Sequence, residues 1–191
     1  DLASASPMLK GFSGGFATTD YAYFVPHYTN GAYSGYVARV PLNDFTASRV
    51  EYLDVSSVHA DLRGFSGGWA TSTHAYLVPF WQGLRSGSVV RVSITEFTAA
   101  GVEVLKLSSI SSNLQGYRGG FATETHAYYV PDAKDAKHGF ATRVSLYDFT
   151  PSGVESLDLA TINSNLQGFS GGFATPSHAY FLPNNAAASG G

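Results

Sequence analysis

The sequence predicts an all-β protein made of four-stranded antiparallel sheets in tandem, for three reasons. One signature, Leu-x-Gly-aromatic-x-Gly-Gly-aromatic-Ala-Thr, begins at Leu9, Leu62, Leu114 and Leu166, so the chain repeats about every 52 residues. Each copy holds four short apolar or alternating segments that are separated by glycine, proline and asparagine turn signals. No segment shows the 3.6-residue apolar periodicity of an amphipathic helix.

The repeat defines the domain organisation of the chain. We expect one repeat domain, residues 1–191, that divides into the end of a preceding repeat at 1–8 and repeats at 9–61, 62–113, 114–165 and, in part, 166–191. Because Asp1-Leu2-Ala3 matches Asp158-Leu159-Ala160, we expect the chain to begin inside the fourth strand of a repeat. The segment from Pro183 matches the one from Pro131, so we expect the chain to stop before a third strand. Two interpretations remain open: a window of a longer array, or a repeat that a neighbouring chain completes.

The first two strands of each repeat, A and B, carry the signature. Strand A is the Gly-Gly-aromatic-Ala-Thr segment, such as Gly14 to Thr18. Strand B, such as His126 to Pro131, is apolar on both faces, which is typical of a strand that lies between two sheets.

The last two strands of each repeat, C and D, follow a variable loop. Strand C, such as Val37 to Leu42 or Val89 to Ile94, alternates. In the first copy, Val40 and Leu42 are expected on one face and Arg39 and Pro41 on the other. Strand D is the Val-Glu-x-Leu-x-Leu segment, such as Val102 to Leu107.

Four antiparallel strands in about 50 residues match the size of one β-propeller blade. We therefore expect propeller-like blades in tandem, with a β-solenoid or stacked-sheet array as the alternative. The repeat resembles the propeller superfamily of the kelch and NHL-like kind, and it is similar to tandem repeats of algal and oomycete-type surface proteins. In a kelch repeat the Gly-Gly pair closes the second strand, whereas here it precedes the aromatic residue of strand A. The resemblance therefore implies an architecture and no functional residues.

The composition indicates an extracellular or cell-surface protein. Only 13% of the residues are charged, so uncharged hydroxyl, amide and aromatic side chains must cover much of the surface. A net charge of −3 without a basic cluster argues against a nucleic-acid partner. The absence of cysteine excludes disulfides and thiol catalysis. No apolar run reaches the roughly 20 residues of a membrane span. No asparagine lies in an Asn-x-Ser/Thr sequon, which leaves O-linked sugar open.

Polar residues that could carry chemistry recur in every repeat. His74, His126 and His178 share one position, and three imidazoles could bind a metal ion if they faced a common axis. Tyr21 takes that position in the first copy, so we expect each histidine to open strand B and to hydrogen-bond a turn. We expect no metal, no cofactor and no catalytic residue, because a catalytic constellation is normally unique.

The arginines of strand C are interpreted as structural, although anion or sugar binding is the alternative. We expect each one to pair with an acidic residue of the following turn or to cover an aromatic ring. The glutamates of strand D are expected on an exposed face. The arginines are Arg39, Arg91 and Arg143; the acidic residues of the turn are Asp44, Glu96 and Asp148; the glutamates are Glu51, Glu103 and Glu155.

The Gly-Gly pairs are also interpreted as structural. No Lys-Ser or Lys-Thr follows them, so they are not phosphate-binding loops. Glycine at these positions permits a positive φ or a close approach between strands. The pairs are Gly14-Gly15, Gly67-Gly68, Gly119-Gly120 and Gly171-Gly172.

The loops between strands B and C differ among the copies and are the candidate binding surface. Variable loops on one side of a repeat scaffold are where partners usually bind. Aromatic rings beside an amide suit either sugar stacking or a subunit interface. The candidates are Tyr28, Asn30 and Tyr33 in the first loop and Phe80, Trp81 and Gln82 in the second; the third loop, 132–138, is polar.

These observations predict a non-enzymatic, secreted structural repeat protein that forms a homo-oligomer or a filament, such as an extracellular fibre or a cell-surface assembly. The alternative is a carbohydrate-binding, lectin-like module with one aromatic site per blade. An enzyme is the third possibility, and it would need its acid or base at a position that is not repeated.

Overall fold

The computed structural model describes residues 1–132 and 138–184. Within these ranges the chain forms sixteen β-strands, and every helix is a 3₁₀ turn of three residues. This architecture confirms the prediction of an all-β protein with four-stranded antiparallel sheets. None of the helices among the described residues could cross a membrane, because all are too short.

The strands form four main sheets in chain order. Sheet 1 and its small hairpin contain β1 (Phe12–Ala17), β2 (Tyr21–Pro26), β3 (Tyr28–Thr29), β4 (Ala32–Tyr33), β5 (Tyr36–Pro41) and β6 (Glu51–Asp54), where β3 pairs with β4 alone. Sheet 2 contains β7 (Phe65–Ala70), β8 (His74–Pro79), β9 (Ser88–Ser93) and β10 (Val102–Lys106). Sheet 3 contains β11 (Tyr117–Ala122), β12 (His126–Pro131), β13 (Phe140–Ser145) and β14 (Val154–Asp158). In the described part of the chain, sheet 4 contains β15 (Phe169–Ala174) and β16 (Ala179–Pro183).

Short 3₁₀ turns flank the last strand of each complete sheet. One set precedes that strand, at Ala47–Arg49, Ala99–Gly101 and Pro151–Gly153. The other set follows it, at Val55–Ser57, Leu107–Ser109 and Leu159–Thr161, and a similar turn lies at Leu2–Ser4. The side chain of Asp158 accepts a hydrogen bond at the start of its turn, and Asp1 does the same for the first turn. The turn at Leu2–Ser4 thus corresponds to the turn at Leu159–Thr161, and Asp1 corresponds to Asp158, the last residue of β14.

A β-bulge lies at the Gly-Gly pair of the first strand in each sheet. In sheets 1 to 3 the first glycine of the pair has a positive φ, as at Gly67 with 78°. The second glycine approaches the neighbouring strand, because a Cβ on Gly68 would overlap the carbonyl oxygen of Tyr76. The bulge lets Phe12 pair with Pro26, so the strand begins two residues before the predicted Gly14.

The register of the sheets brings a tyrosine, an arginine and a glutamate side by side. In sheet 3, Arg143 of β13 lies opposite Tyr128 of β12 and Glu155 of β14. The corresponding triads are Tyr23, Arg39 and Glu51 in sheet 1 and Tyr76, Arg91 and Glu103 in sheet 2. Side chains directly opposite on neighbouring strands lie on the same face, so each triad can form one hydrogen-bonded group.

The hydrophobic cores lie between consecutive sheets. Tyr23 and Val37 of sheet 1 pack with Leu77 and Val90 of sheet 2, and a similar cluster joins sheets 2 and 3. A smaller cluster around Phe121 and its neighbours joins sheets 3 and 4. Each inner sheet is therefore covered on both faces, which is why β8 is buried along almost its whole length.

Packing between sheets also determines the burial of strand C and the end of strand D. Arg39 of β5 is only 7% exposed, because it packs against Ile94 and Phe97 of sheet 2. Strand D was predicted to run to Leu107, but β10 ends at Lys106 and Leu107 starts the 3₁₀ turn. Leu107 is fully buried in the core between sheets 2 and 3, and the turn directs it there.

Candidate functional site

The candidate functional site is the interface that the chain repeats between its own sheets. It has two parts: an arginine group on the second, third and fourth strands of a sheet and an aromatic–glycine contact on the first strands. The residues of sheets 1 and 4 that correspond to parts of this interface are exposed.

Arg39 is the centre of the arginine group between sheets 1 and 2. Its Nε and Nη2 atoms donate to Oε2 of Glu51 at 2.9 and 2.7 Å. Its Nη1 atom donates to the Ile94 carbonyl oxygen of sheet 2 at 2.7 Å. The guanidinium lies 4.2 Å from the ring centre of Tyr21 and 4.3 Å from that of Phe97. One side chain of sheet 1 thus binds both the backbone and an aromatic ring of sheet 2.

Arg91 repeats the arrangement between sheets 2 and 3. It donates to both carboxylate oxygens of Glu103, at 2.9 and 2.8 Å. Its Nη1 atom donates to the carbonyl oxygen of Leu146 at 3.0 Å, and its guanidinium lies 4.4 Å from the ring centre of Phe149. The same chemistry at two interfaces indicates a reusable link between sheets.

The group keeps its charges at neutral pH. Burial alone would lower the pKa of Arg39, but hydrogen bonds to Tyr23 and Glu51 outweigh it, so its pKa lies above the ordinary value. The hydrogen bond from Arg91 lowers the pKa of Glu103. Burial and the nearby Arg91 both lower the pKa of His74, whose Nε2 lies 3.3 Å from Glu103. These shifts favour a charged arginine–glutamate pair beside a neutral imidazole.

The second part of the interface places an aromatic ring on a glycine. In sheet 1 the ring of Phe16 stacks on Tyr23 with ring centres 5.0 Å apart, and it also covers Gly68 of sheet 2. A Cβ on Gly68 would lie only 2.8 Å from Cε1 of Phe16. Trp69 covers Gly120 in the same way, so the second glycine of each pair forms the surface on which the preceding ring rests.

The interface between sheets 3 and 4 keeps the aromatic–glycine contact. A Cβ on Gly172 would lie 2.7 Å from Cε1 of Phe121, whose ring stacks on Tyr128. Arg143, by contrast, donates to Glu155 at 2.8 Å and to the Tyr128 hydroxyl at 3.4 Å, both within sheet 3. Its side chain is 40% exposed, whereas that of Arg91 is 11% exposed.

Among the described residues, sheets 4 and 1 each leave one half of the interface uncovered. The ring of Phe173 in sheet 4 stacks on Tyr180 but remains 50% exposed, although the equivalent Trp69 is 9% exposed. In sheet 1, the atoms nearest to a Cβ on Gly15 belong to the backbone of β2, and no aromatic ring of the described residues covers this glycine. Phe45, which is equivalent to the arginine-stacked Phe97, is 64% exposed.

The acidic partners predicted for the arginines are wrong. Asp44 binds Arg49 at 3.3 Å, and Asp148 accepts hydrogen bonds from hydroxyl groups of its own turn. Strand D supplies the actual partners because its register places a glutamate directly opposite each arginine, as for Arg39 and Glu51. The glutamates predicted on an exposed face are about half-exposed in these pairs.

The repeated histidines take part in turns. His74 is the first residue of β8, its backbone N–H donates to Oγ1 of Thr71 at 3.1 Å, and its Nδ1 lies 2.9 Å from Oγ1 of Thr73. His126 makes the equivalent contacts. Across residues 1–132 and 138–184, no group of three His, Asp or Glu side chains could hold a metal ion.

The first candidate loop is a tight hairpin. Asn30 and Gly31 have φ values of 51° and 81°, which fits the type I′ turn that an Asn-Gly pair prefers. The rings of Tyr28 and Tyr33 meet across the hairpin with centres 4.9 Å apart, and Tyr28 is 47% exposed. The Asn30-Gly31 dipeptide could have predicted this hairpin from the sequence.

The second candidate loop packs against the first. Phe80 is 8% exposed, and its ring centre lies 5.9 Å from that of His27. Trp81 forms a β-bridge with Arg85. Gln82 donates through Nε2 to the carbonyl oxygen of Asp61 at 2.9 Å, so Phe80 and Gln82 are used in contacts within the chain. Most of the third loop, residues 133–137, lies outside the described residues.

An open cleft lies beside the first hairpin. Its volume is about 290 Å³, and its lining includes Asn30, Tyr33, Tyr36 and Arg63. Two of the six candidate loop residues therefore line one concave surface, whereas Phe80 and Gln82 do not reach it.

Comparisons with known proteins give no further assignment. No model of a known protein family matches the chain, and a search of curated proteins finds no similar sequence. The structure itself describes the chain as a tandem repeat of β-sheets that are joined by a recurring interface.

Proposed function

We propose that this protein is a non-enzymatic structural repeat protein that assembles head to tail in an extracellular fibre or cell-surface layer. The observation that carries the proposal is the pair of unmatched ends. Phe173 presents the ring of an interface that the chain uses three times internally, and Gly15 presents the glycine surface that such a ring covers. A ring on one end and its receptor on the other make a heterologous contact, which propagates into rings or filaments.

The proposed arrangement is propeller-like. The first strands of consecutive sheets lie next to each other, since a Cβ added to Gly14 would lie 3.6 Å from the Cα of Gly67. This fits blades whose first strands face a common axis, in which each sheet contacts only its neighbours. The low charge and the hydroxyl-rich surface support an extracellular location, where O-linked sugar could cover exposed serine and threonine.

Sedimentation velocity over a wide concentration range, with electron microscopy of the same samples, tests the proposal. We expect species larger than 20.2 kDa that grow with concentration, and regular filaments or rings at the highest concentrations. Burial of the exposed half of the Phe173 ring, about 100 Å², contributes roughly 2 kcal/mol, so Phe173→Ser should weaken association about 30-fold.

A matched variant tests whether the effect is specific to Phe173 or follows from the loss of any exposed apolar side chain. Leu84 is 78% exposed in the second loop, and Leu84→Ser should leave association unchanged. A chain that stays monomeric at every concentration, or that associates equally well with either substitution, contradicts the proposed assembly.

The cleft beside the first hairpin favours a carbohydrate-binding module as the second candidate. Tyr33 and Tyr36 supply aromatic surface, and Asn30 and Arg63 supply polar groups, which together suit the faces and hydroxyls of a sugar. Titration with soluble oligosaccharides, followed by tryptophan fluorescence and NMR, should give saturable binding that Tyr33→Ala abolishes. Absence of saturation across a panel of neutral and acidic glycans removes this candidate.

A further inference from the structure

We infer that the exposed edge of sheet 4, together with Arg143, is a binding site for a β-hairpin of the strand C–D type. This inference deepens the proposed assembly, because it names the segment that the open side of sheet 4 would take. It rests on the proposal that units of this repeat pack against one another.

The first observation is the edge of β16. In sheets 1 to 3 the second strand pairs on both sides, as β12 does with β11 and β13. Among the described residues, β16 pairs with β15 alone, and none of them pairs with its other edge. Ala179 and Tyr180 at this edge are exposed, whereas the equivalent Ala127 is fully buried. An exposed edge of this kind accepts an added strand through main-chain hydrogen bonds.

The second observation is the arginine beside this edge. Arg39 and Arg91 each donate to a carbonyl oxygen and stack on a phenylalanine, and both groups belong to the C–D segment of the next sheet. Arg143 already has the glutamate and tyrosine of its own triad, and its side chain is 40% exposed. The guanidinium is therefore held in position for the carbonyl oxygen and the ring that a further hairpin would supply.

The third observation is the space between sheet 3 and sheet 4. A cleft of about 600 Å³ has His126, Tyr128 and Arg143 on one side and residues 174–179 on the other. A second cleft, of about 640 Å³, continues past Leu157 and Phe181. Leu157 is 54% exposed there, whereas its equivalent Leu105 is 5% exposed against sheet 3. The combined surface presents an apolar patch, a cation and a strand edge in the arrangement that binds strands C and D elsewhere in the chain.

These features specify the chemistry of the occupant. Its first strand must end in a residue whose carbonyl oxygen faces Arg143, and a phenylalanine must follow in the turn. Its second strand must carry an apolar residue that covers Leu157. The chain itself supplies a probe with all three features, the peptide of residues 88–106, in which the ring is Phe97 and the carbonyl group belongs to Ile94.

The test measures binding of the fluorescently labelled 88–106 peptide to the intact chain by anisotropy, at concentrations where the protein does not self-associate. We expect saturable binding at least tenfold tighter than that of a scrambled peptide. Arg143→Gln in the protein, or Phe97→Ser in the peptide, should each weaken binding about tenfold, because each removes one side of the cation–π contact. Arg49→Gln is the matched control, since Arg49 is an exposed arginine in sheet 1 outside the proposed site, and it should leave binding unchanged.

Hydrogen exchange gives a second readout that does not depend on the substitutions. The bound peptide should protect backbone amides of β16 while leaving those of β2 unaffected. Binding no tighter than that of the scrambled peptide, or equal binding to the Arg143→Gln and Arg49→Gln proteins, overturns the inference. Peptide binding by a chain that never self-associates would support the hairpin site and contradict the proposed self-assembly, so the two failures are distinguishable.

Discussion

Replacing Arg91 by glutamine tests whether the arginine links consecutive sheets. The substitution removes the charge-assisted hydrogen bond to the Leu146 carbonyl oxygen and the contact with the Phe149 ring. We expect these to contribute about 1.5–3 kcal/mol and about 0.5–2 kcal/mol, respectively. The pair with Glu103 is half-exposed and adds less than about 1 kcal/mol. Because such terms are not additive, the expected loss is about 2–4 kcal/mol in the free energy of unfolding.

Arg143→Gln provides the matched comparison within the same chain. Arg143 occupies the equivalent position and makes the same type of glutamate pair, but its hydrogen bonds to Tyr128 and Glu155 both lie within sheet 3. We expect this variant to lose less than about 1 kcal/mol. The difference between the two variants therefore isolates the part of the arginine's contribution that crosses to the next sheet.

The assay is urea unfolding followed by circular dichroism and tryptophan fluorescence, together with thermal unfolding. For a chain of this size, each kcal/mol shifts Tm by roughly 2–4 °C, so Arg91→Gln should lower Tm by roughly 4–16 °C. The Tm of Arg143→Gln should fall by less than about 4 °C. Equal losses for the two variants would show that the contacts across the interface do not stabilise the fold, and the reasoning about a link between sheets would fail.

Three further predictions concern the interior and the pH response. Gly120→Ala should lower the free energy of unfolding by about 2–3 kcal/mol, because its Cβ would overlap a tryptophan ring and a carbonyl oxygen, whereas Gly171→Ala has open space and should change it by less than about 0.5 kcal/mol in urea unfolding. Tyr129→Phe should leave Tm unchanged or raise it, since the buried hydroxyl has no hydrogen-bond partner among the described residues; a clear decrease would contradict this. Acidification should destabilise the fold, because His74 and Glu103 both have lowered pKa values in the folded state. Stabilisation from these groups is present above their ordinary values of 6.5 and 4.5 and is lost as the pH falls through their folded pKa values, so a Tm that stays constant between pH 7 and pH 3 would refute this assignment.

Local features of the fold were predictable because the same residue pattern occurs in several copies of the repeat. Strand B was predicted at His126 to Pro131, and β12 has these bounds, since a short apolar run between turn signals has few alternatives. Strand A was placed too late because a bulge adds residues to the ladder without a clear mark in the sequence.

The contacts that build the interface were less accessible to sequence reasoning. Which acid faces Arg39 depends on strand register, and Asp44 and Glu51 are both plausible from spacing alone. The bond from Arg39 to the Ile94 carbonyl oxygen joins residues 55 positions apart, and only the packing of one sheet on the next creates it. The turn at Asn30 was predictable from the preference of an Asn-Gly pair for a type I′ turn. Because Asn30 lies in a variable loop, it was interpreted as a ligand-binding residue instead.

The position of the cores between sheets has a consequence for how the molecule folds and fails. Since Leu77 and Val90 are buried against sheet 1 and Tyr76 and Val89 against sheet 3, no single sheet can hide its own apolar surface. The smallest cooperative unit is therefore a pair of neighbouring sheets, and stability accumulates through nearest-neighbour coupling as in a one-dimensional lattice. Unfolding should begin at the terminal sheets and spread inward. The stability of the central sheets therefore determines how long the folded array persists.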